Sequence, residues 1–292
     1  MGIGRHFTTT IKPTITAELQ KTAFAGGDIL FDWTEFRVPR GAARLLNVVA
    51  LIRGTNGADQ DLLAGSDLDI ELFFAKKIEG VAPPTLGAIN GAVNSPGWFN
   101  HLIGMQYMNM DSNNTGSTTG LVYMSMAQMG NRAGGPDLVL ATEDHATDLG
   151  YDTYYIAALS SIAGSGTFDF STNVETTGVY DMSAITAATV SGLDDGSGGA
   201  SAVANKFAVG DIIHDEDDVI LGEISSIGTN ALTFRTDGIK QIHAGGITLY
   251  DTPANLAAYI NQNGTGATDG DVAANKELYN LNPITIKLSF EK

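Results

Sequence analysis

The chain has 292 residues, of which 43% are apolar and 17% charged, which is the composition of a globular protein with one large or two modest domains. Its 16 basic and 33 acidic residues give a net charge of −17, which argues against binding to nucleic acid or an anionic membrane, because phosphate groups are bound by clustered Lys and Arg. The absence of cysteine excludes disulfides, thiolate catalysis and cysteine-ligated metals.

The N-terminal stretch GIGRHFTTTIKPTIT is polar and nearly free of acidic residues. It has no apolar segment of the kind that a secretory signal needs, and no run in the chain approaches the length of a membrane span. We expect either an arm that lies across a neighbouring subunit or a frayed terminus. In the first case Arg5 and Lys12 meet an acidic surface, and the partner contacts are Arg5, His6, Phe7 and Lys12.

The first 175 residues predict a series of strands, because short alternating apolar runs are bounded by turn-forming residues. Residues 29–38 alternate, and the turn at 39–41 leads into 43–54, which is apolar enough for a strand buried on both faces. Residues 67–76 alternate apolar and acidic side chains, as a half-buried strand does. Later strands are predicted over 137–142, 154–162 and 167–175. Between residues 13 and 24 we expect one short helical turn.

Two methionine-rich runs, 101–110 and 121–129, flank the turn-forming linker DSNNTGSTTG. This arrangement predicts a hairpin with a long polar loop. The methionines could bind a soft metal, but no Cys and no suitable His spacing accompanies them. Methionine as an adaptable filler of packed strands is the favoured interpretation.

Residues 178–252 differ in character from the rest of the chain. They contain a flexible Gly- and Ser-rich stretch and then short strands with tight turns, a pattern typical of a small SH3-like barrel. Short strands are predicted over 206–213, 219–228, 230–236 and 245–250. The last run, 282–292, resumes the long-strand style of the first half. The sequence therefore predicts an antiparallel β-sandwich or jelly-roll-like domain, 1–177 plus 253–292, with a small barrel inserted at 178–252.

A helix is predicted over residues 252–263. Thr252 can act as its N-cap, Pro253 suits the first helical position, and an Asn-Gly pair follows the run.

The acidic stretch HDEDD, residues 214–218, lies between two apolar runs. Calcium is bound by clustered carboxylates, but the stretch has neither the length nor the glycine of an EF-hand loop. A solvated hairpin tip is the favoured interpretation, and a divalent-ion site is the alternative. A second acidic cluster, residues 143–152, has the same two interpretations and includes His145.

No catalytic motif is visible in the chain. There is no nucleophile elbow, no Walker loop and no dinucleotide-binding glycine pattern, and the histidines outside the acidic clusters fall in separate segments. We therefore expect a protein that is not an enzyme, with no catalytic residue, no cofactor and no metal ligand.

Several segments resemble virion structural proteins of tailed bacteriophages, especially marine ones: FTTTIKPTITA, DILFDWTEFRVPRGAARLLNVVALIRGTNG, DLDIELFFAKKIEGVAPPTLG and YYIAALSSIAGSGTFDFSTNVETTG. The stretch FAVGDIIHDEDDVILGEISSIGTNALTF is similar to small barrel modules of phage capsid decoration and tail proteins. The resemblance implies a capsid decoration, or cement, protein. Such a protein binds the major capsid protein lattice on the outer surface of the virion and stabilises the head.

The same resemblance implies assembly in the host cytoplasm and a homo-oligomer, with a trimer favoured because it matches the three-fold positions of a capsid. Two rival functions stay open. A tail, baseplate or fibre component would share the β-rich character. A carbohydrate-binding module or adhesin would use exposed aromatic side chains such as Trp98 and Phe99, which otherwise serve as loop anchors. A polysaccharide depolymerase would need paired carboxylates in a groove.

Overall fold

The computed structural model describes residues 5–53, 68–94, 96–108, 122–128, 138–140, 150–162, 167–168, 170, 174–176, 180–181, 189–194, 206–218, 220–235, 271–272 and 277–292. Over these residues the protein is mainly β, and its strands pair antiparallel. None of the helices in the described ranges is long and apolar enough to cross a membrane.

The helices and strands follow one another along the chain in this order: β1 His6–Ile11, α1 Ala17–Gln20, β2 Phe24–Ala25, β3 Ile29–Pro39, β4 Ala43–Arg53, β5 Leu68–Lys76, a 3-10 helix Gly97–His101, β6 Leu102–Met108, β7 Val122–Gln128, β8 Leu138–Leu140, β9 Tyr151–Ile162, β10 Thr167–Phe168, β11 Glu175–Thr176, β12 Tyr180–Asp181, β13 Thr189–Ser191, β14 Leu193–Asp194, β15 Ile212–Asp215, β16 Ile220–Ile227, β17 Ala231–Phe234, β18 Asp271–Val272, β19 Leu278–Asn280 and β20 Ile284–Glu291.

Two large sheets share one apolar core. The first has the order β1-β20-β4-β7, with β8 also paired to β4, and the second has the order β3-β9-β5-β6. Residues of both sheets contribute to the same buried cluster, for example Leu288 and Val48 from the first and Phe74 and Ile156 from the second. The mainly β, sandwich-like character predicted from the alternating runs is therefore confirmed.

The C-terminal strand shows how alternation produces this core. Ile284, Ile286, Leu288 and Phe290 are buried on one face of β20, whereas Lys287 is exposed on the other. The strand lies between β1 and β4, which confirms the expectation that the chain returns to the main sheet at residues 282–292.

The other predicted strands of the first half differ in detail. Strand β4 has one face that is fully buried and another that is half-buried, so the prediction of a strand buried on both faces is wrong. The predicted strand 167–175 is described only as the two-residue strand β10 and part of β11. The predicted helical turn is confirmed as α1.

The two methionine-rich runs do not form the predicted hairpin. Strand β6 pairs with β5 in the second sheet, and β7 pairs with β4 in the first. The chain therefore passes from one sheet to the other between these strands. Met108 is buried in the shared core, as a filler side chain would be, whereas Met105 is 46% exposed.

The segment 78–101 covers part of the outer face of the second sheet. Leu86 and Trp98 of this segment pack on Ile29, Phe73 and Ala157 in a second apolar cluster. Trp33 adds a hydrogen bond from its Nε1 to the carbonyl oxygen of Pro84, 2.9 Å away. This outer layer leaves the strand β6 at the end of the sheet order, with part of its face exposed.

A third sheet has the order β13-β17-β16-β15-β19 and its own apolar cluster, which includes Val190, Ile224 and Phe234. Over the described residues, the edge strands β13 and β19 do not pair with each other, so the sheet is not closed into a barrel. The predicted hairpin at the acidic stretch is confirmed, since β15 pairs antiparallel with β16. Strand β19 joins this sheet from outside the predicted 178–252 insert, and the division of the chain into two domains stays a prediction. The predicted strand 245–250 and helix 252–263 lie outside the described residues.

Candidate functional site

The predicted contact residues of the N-terminus lie in a strand of the chain's own sheet. Residues 6–11 pair with β20 in a register that places His6 opposite Glu291, so the described part of the predicted arm is not extended away from the chain. Arg5, His6 and Lys12 are exposed, whereas the ring of Phe7 stacks on Phe290 with centroids 5.1 Å apart. Their contact with a partner stays a prediction.

An exposed apolar patch lies on the outer face of the second sheet. Its members are Phe99, Met105 and Tyr107, whose exposed fractions are 58%, 46% and 47%. Met105 lies directly opposite Phe73 in the pairing of β6 with β5, and Phe73 packs edge-on against Trp98. Because Phe99 stacks on Trp98, these contacts place the 3-10 helix on the same side of the second sheet as Met105, and we call Phe99, Met105 and Tyr107 the β6 patch.

Trp98 and Phe99 have different roles. Trp98 is only 3% exposed and its ring lies 6.1 Å from that of Trp33, so it is the loop anchor that the sequence favoured. Phe99 packs on Trp98 at 4.0 Å between ring centroids, with 24° between the ring planes. This stacking holds one face of the Phe99 ring, and the other side of the residue is presented to solvent.

The acidic stretch is more buried than predicted. His214 is fully buried and Asp215 is 3% exposed, so the prediction of a solvated tip is wrong for these two residues. Asp217 and Asp218 are exposed, as expected for a turn. The burial has a cause that lies far away in the chain, because helix α1 and strand β19 close over the imidazole ring.

Gln20 and Tyr279 are the partners that sequence reasoning missed. Gln20 is fully buried, and its Nε2 donates to the carbonyl oxygens of Ile15 at 2.6 Å and Asn280 at 2.8 Å. The ring of Tyr279 stacks on His214 with centroids 5.8 Å apart. In the sequence, the only signal is a Gln within a short predicted helical turn. Its partner His214 lies 194 positions further along the chain.

The two nitrogens of the His214 ring have distinct surroundings. Nδ1 lies 3.1 Å from the carbonyl oxygen of Asp215 and 3.3 Å from Oδ1 of Asp218. Both neighbours are acceptors, so these partners assign the ring hydrogen to Nδ1. Nε2 lies 3.3 Å from Nε2 of Gln20, an amide nitrogen that cannot accept a hydrogen bond, and is therefore the ring nitrogen without a hydrogen. We call this arrangement of α1, the acidic turn and β19 the His214 junction.

Asp218 ties the acidic turn to helix α1. Its Oδ1 accepts a hydrogen bond of 2.7 Å from the backbone N–H of Ala17, the first residue of the helix. Burial raises the pKa of Asp218, but the hydrogen bonds from His214 and Ala17 and the positive charge of Lys21 outweigh this effect, so the pKa lies below its ordinary value of 3.8.

The substitution Asp218→Asn tests the charge of this contact. Asn still accepts a hydrogen bond and tolerates the positive φ of 62° at this position, so the change removes mainly the charge. At neutral pH we expect the free energy of unfolding to fall by less than about 1 kcal/mol, because the side chain is 47% exposed and solvent screens it. The measurement is urea unfolding at neutral and acidic pH.

The sign of the pH dependence follows from the lowered pKa. The stabilisation by the carboxylate is complete above the ordinary pKa of 3.8 and is lost as the pH falls through the lower pKa of the folded state. The difference in stability between Asp218→Asn and the unchanged protein should therefore vanish in strong acid. Asp217→Asn, which removes a charge from the same turn, serves as the control, and an equal effect of both variants would contradict the assignment.

The second predicted acidic cluster is described only at its end. Residues 143–149 lie outside the described part of the chain. Asp152 is fully buried, and its Oδ2 accepts a hydrogen bond of 2.8 Å from the backbone N–H of Gly41. Asp152 therefore holds the turn between β3 and β4. Within the described ranges, no three His, Asp or Glu side chains are close enough together to share a metal ion.

Two arrangements thus stand out chemically. The His214 junction combines a buried imidazole and a buried amide with the half-exposed carboxylate of Asp218. The β6 patch can bury apolar and aromatic surface against another molecule. No protein-family model, no curated protein and no solved structure matches the chain, so its function has to be argued from these surfaces and contacts.

Proposed function

We propose that the protein is a non-enzymatic structural component of a tailed-phage virion, and specifically a decoration protein that binds the major capsid protein lattice on the outside of the head. The observation that carries the proposal is the β6 patch. Met105 and Tyr107 of β6 and Phe99 of the 3-10 helix are about half exposed, and the opposite face of the second sheet contributes to the main core. A surface of this kind is typical of a binding interface on a rigid scaffold.

The scaffold supports this role in a second way. The N-terminal strand β1 is paired along its whole length with β20, and β20 in turn with β4. In the proposal, Arg5, His6 and Lys12 form an additional contact with acidic capsid surface from the exposed side of this strand. The finer fold that we propose is a jelly-roll-like sandwich with an SH3-like barrel, assembled as a trimer.

The double substitution Phe99→Ser with Met105→Thr tests the patch as the capsid contact. We expect binding to particles stripped of this protein to weaken by about tenfold or more, because central aromatic and Met side chains carry much of the energy of an interface. Binding is measured by co-sedimentation of the purified protein with the particles. Tyr107 is kept, because its hydroxyl donates to the carboxylate of Asp69 and helps to hold the strand pair.

The control is the double substitution Val81→Thr with Val209→Thr. These valines are 64% and 60% exposed, and they lie outside the patch residues. The control should bind as the unchanged protein does. Equal binding by both double variants, with unfolding transitions unchanged, would rule out the β6 patch as the capsid contact.

Carbohydrate binding is the second candidate, and the exposed ring of Phe99 favours it. An aromatic ring that is held from behind by Trp98 offers a flat surface on which a sugar ring can stack. A glycan array probed with the unchanged protein and with Phe99→Ser separates the two candidates. Glycan binding that Phe99→Ser abolishes, without binding to capsids, would favour the carbohydrate-binding function, and a tail or fibre component would bind to tails instead of heads.

A further inference from the structure

The surroundings of His214 offer an acceptor to Nδ1 but none to Nε2, so they suit a neutral ring better than a charged one. Nδ1 carries the hydrogen toward Asp215 and Asp218, and Nε2 faces the amide nitrogen of Gln20 at 3.3 Å. Both hydrogens of that amide are directed to the carbonyl oxygens of Ile15 and Asn280 as well. A proton on Nε2 would place one donor against another.

Rotation of the Gln20 amide does not resolve this conflict. The Oε1 atom of Gln20 is buried without a hydrogen-bond partner, and rotation would bring it to the imidazole. The same rotation would place Oε1 against the carbonyl oxygens of Ile15 and Asn280, which are acceptors. Buried polar groups left without partners are costly in either orientation, so a protonated ring requires the helix to move.

We propose that His214 is a proton-sensitive latch, which holds the segment 15–20 against the third sheet when the ring is neutral and releases that segment when Nε2 takes up a proton from solvent. The latch does not depend on the virion role. Three hydrogen bonds attach the segment 15–20 to the third sheet and the acidic turn. The backbone N–H of Ala17 donates to Asp218, and that of Ile15 donates to the carbonyl oxygen of Leu281 at 3.2 Å. The side chain of Gln20 donates to the carbonyl oxygen of Asn280.

Charges on all three elements surround the ring. The ionisable side chains of these elements are Asp215, Glu216, Asp217 and Asp218 on the strand and turn, Glu18 and Lys21 on or next to the helix, and Glu277 and Tyr279 at the strand β19. Oδ1 of Asp218 lies 3.3 Å from Nδ1 of the ring. Tyr279 donates its hydroxyl to Glu277 at 2.6 Å, and its ring stacks on that of His214.

The attachment of strand β1 is separate from the latch. The amide of Asn282 donates to the carbonyl oxygens of Lys12 at 3.2 Å and Pro13 at 3.1 Å, and β1 is paired with β20. Release is therefore confined to α1 and the residues that lead into it, and the two large sheets stay assembled.

The test is hydrogen exchange of the full chain at a series of pH values from neutral downward. Rates are corrected for the intrinsic effect of pH. We expect the amides of Ile15 and Ala17 to exchange about tenfold faster once the ring is protonated, because they lose their partners, while amides of β4 keep their rates. NMR of ¹⁵N-labelled histidine reports the state of the ring in the same samples.

His214→Asn is the matched variant. The Asn amide can donate toward Asp218 as Nδ1 does, but it has no atom at the place of Nε2, so the pH-dependent step in exchange should disappear. His101→Gln is the control, since His101 is also largely buried but contacts the carbonyl oxygen of Lys76, and it should leave the step unchanged.

Two results would overturn the latch, and both are measured on the unchanged protein, so they hold even where His214→Asn fails to fold. The first is a His214 ring that becomes protonated while Ile15 and Ala17 exchange at the same corrected rate. The second is a ring that carries hydrogens on both nitrogens in samples in which Ile15 and Ala17 are still fully protected from exchange.

Discussion

The substitution Phe290→Ala should lower the free energy of unfolding by about 3–5 kcal/mol, which is the usual cost of removing a large aromatic side chain from a core. Phe290 is 1% exposed, and it stacks on Phe7 at 5.1 Å and on Phe36 at 6.2 Å between ring centroids. It therefore joins strands β1 and β20 of the first sheet to β3 of the second. The loss includes the cavity that the surrounding rings cannot fill.

Urea unfolding followed by circular dichroism measures this change. The control is Phe99→Ala, which removes the same side chain from a position that is 58% exposed, and it should cost less than about 1 kcal/mol. Comparable losses for the two variants would contradict the description of Phe290 as the link between the sheets.

The substitution Gly222→Ala should destabilise the third sheet by about 2–4 kcal/mol, because two costs add at this position. The backbone has φ +148°, which L side chains rarely adopt. An added Cβ would also lie 3.0 Å from Cβ of Phe234 and 3.2 Å from its ring, a contact tighter than the sheet can accept without movement. Gly222 lies opposite Ile213 next to the irregularity in the β15–β16 pairing, so movement there would spread to the acidic turn.

Two other glycines of the same region separate these costs. Gly210 has φ +90° but open space around its Cβ position, so Gly210→Ala should show the backbone cost alone, about 1 kcal/mol. Gly228 has an ordinary contact of 3.4 Å to Cβ of Ala231, and Gly228→Ala should be nearly neutral. The expected order of destabilisation in thermal or urea unfolding is Gly222, then Gly210, then Gly228, and a reversed order would show that β16 and β17 do not pack as described.

Local patterns in the sequence were sufficient to predict where individual strands and turns lie along the chain. The alternation in residues 67–76 predicted β5, and the long-strand style of 282–292 predicted β20. The half-burial predicted for β5 is wrong, because Asp69, Phe73 and Ala75 on its other face are buried as well. Pro39 and Gly41 likewise predicted the turn between β3 and β4, and the acidic stretch 214–218 between two apolar runs predicted the hairpin of β15 and β16. These features depend only on neighbours along the chain.

Pairing between distant segments could not be predicted in the same way. The linker between the methionine-rich runs has turn chemistry, but that chemistry does not determine whether the next strand stays in the same sheet, and here it crosses to the other. The burial of His214 has the same origin, because Gln20 and Tyr279 come from opposite ends of the chain. The acidic stretch 214–218 therefore predicted the turn correctly. It predicted exposure to solvent correctly for Asp217 and Asp218 but not for His214 and Asp215.

The β6 patch shows a third limit of local reasoning. Trp98 and Phe99 are adjacent and both aromatic, yet one anchors the outer layer and the other is exposed. The difference arises because Trp98 meets Phe73 and Trp33, which lie on separate strands of the second sheet. Only the assembled sheet distinguishes an anchor from a binding residue.

Cryo-electron microscopy of the native particle, with this chain traced in the map, tests the proposed role most directly. We expect density on the outer capsid that bridges several major capsid subunits, with the β6 patch against the lattice. Density confined to the tail would contradict the decoration role, and absence of the chain from the particle would contradict a structural role in the virion altogether.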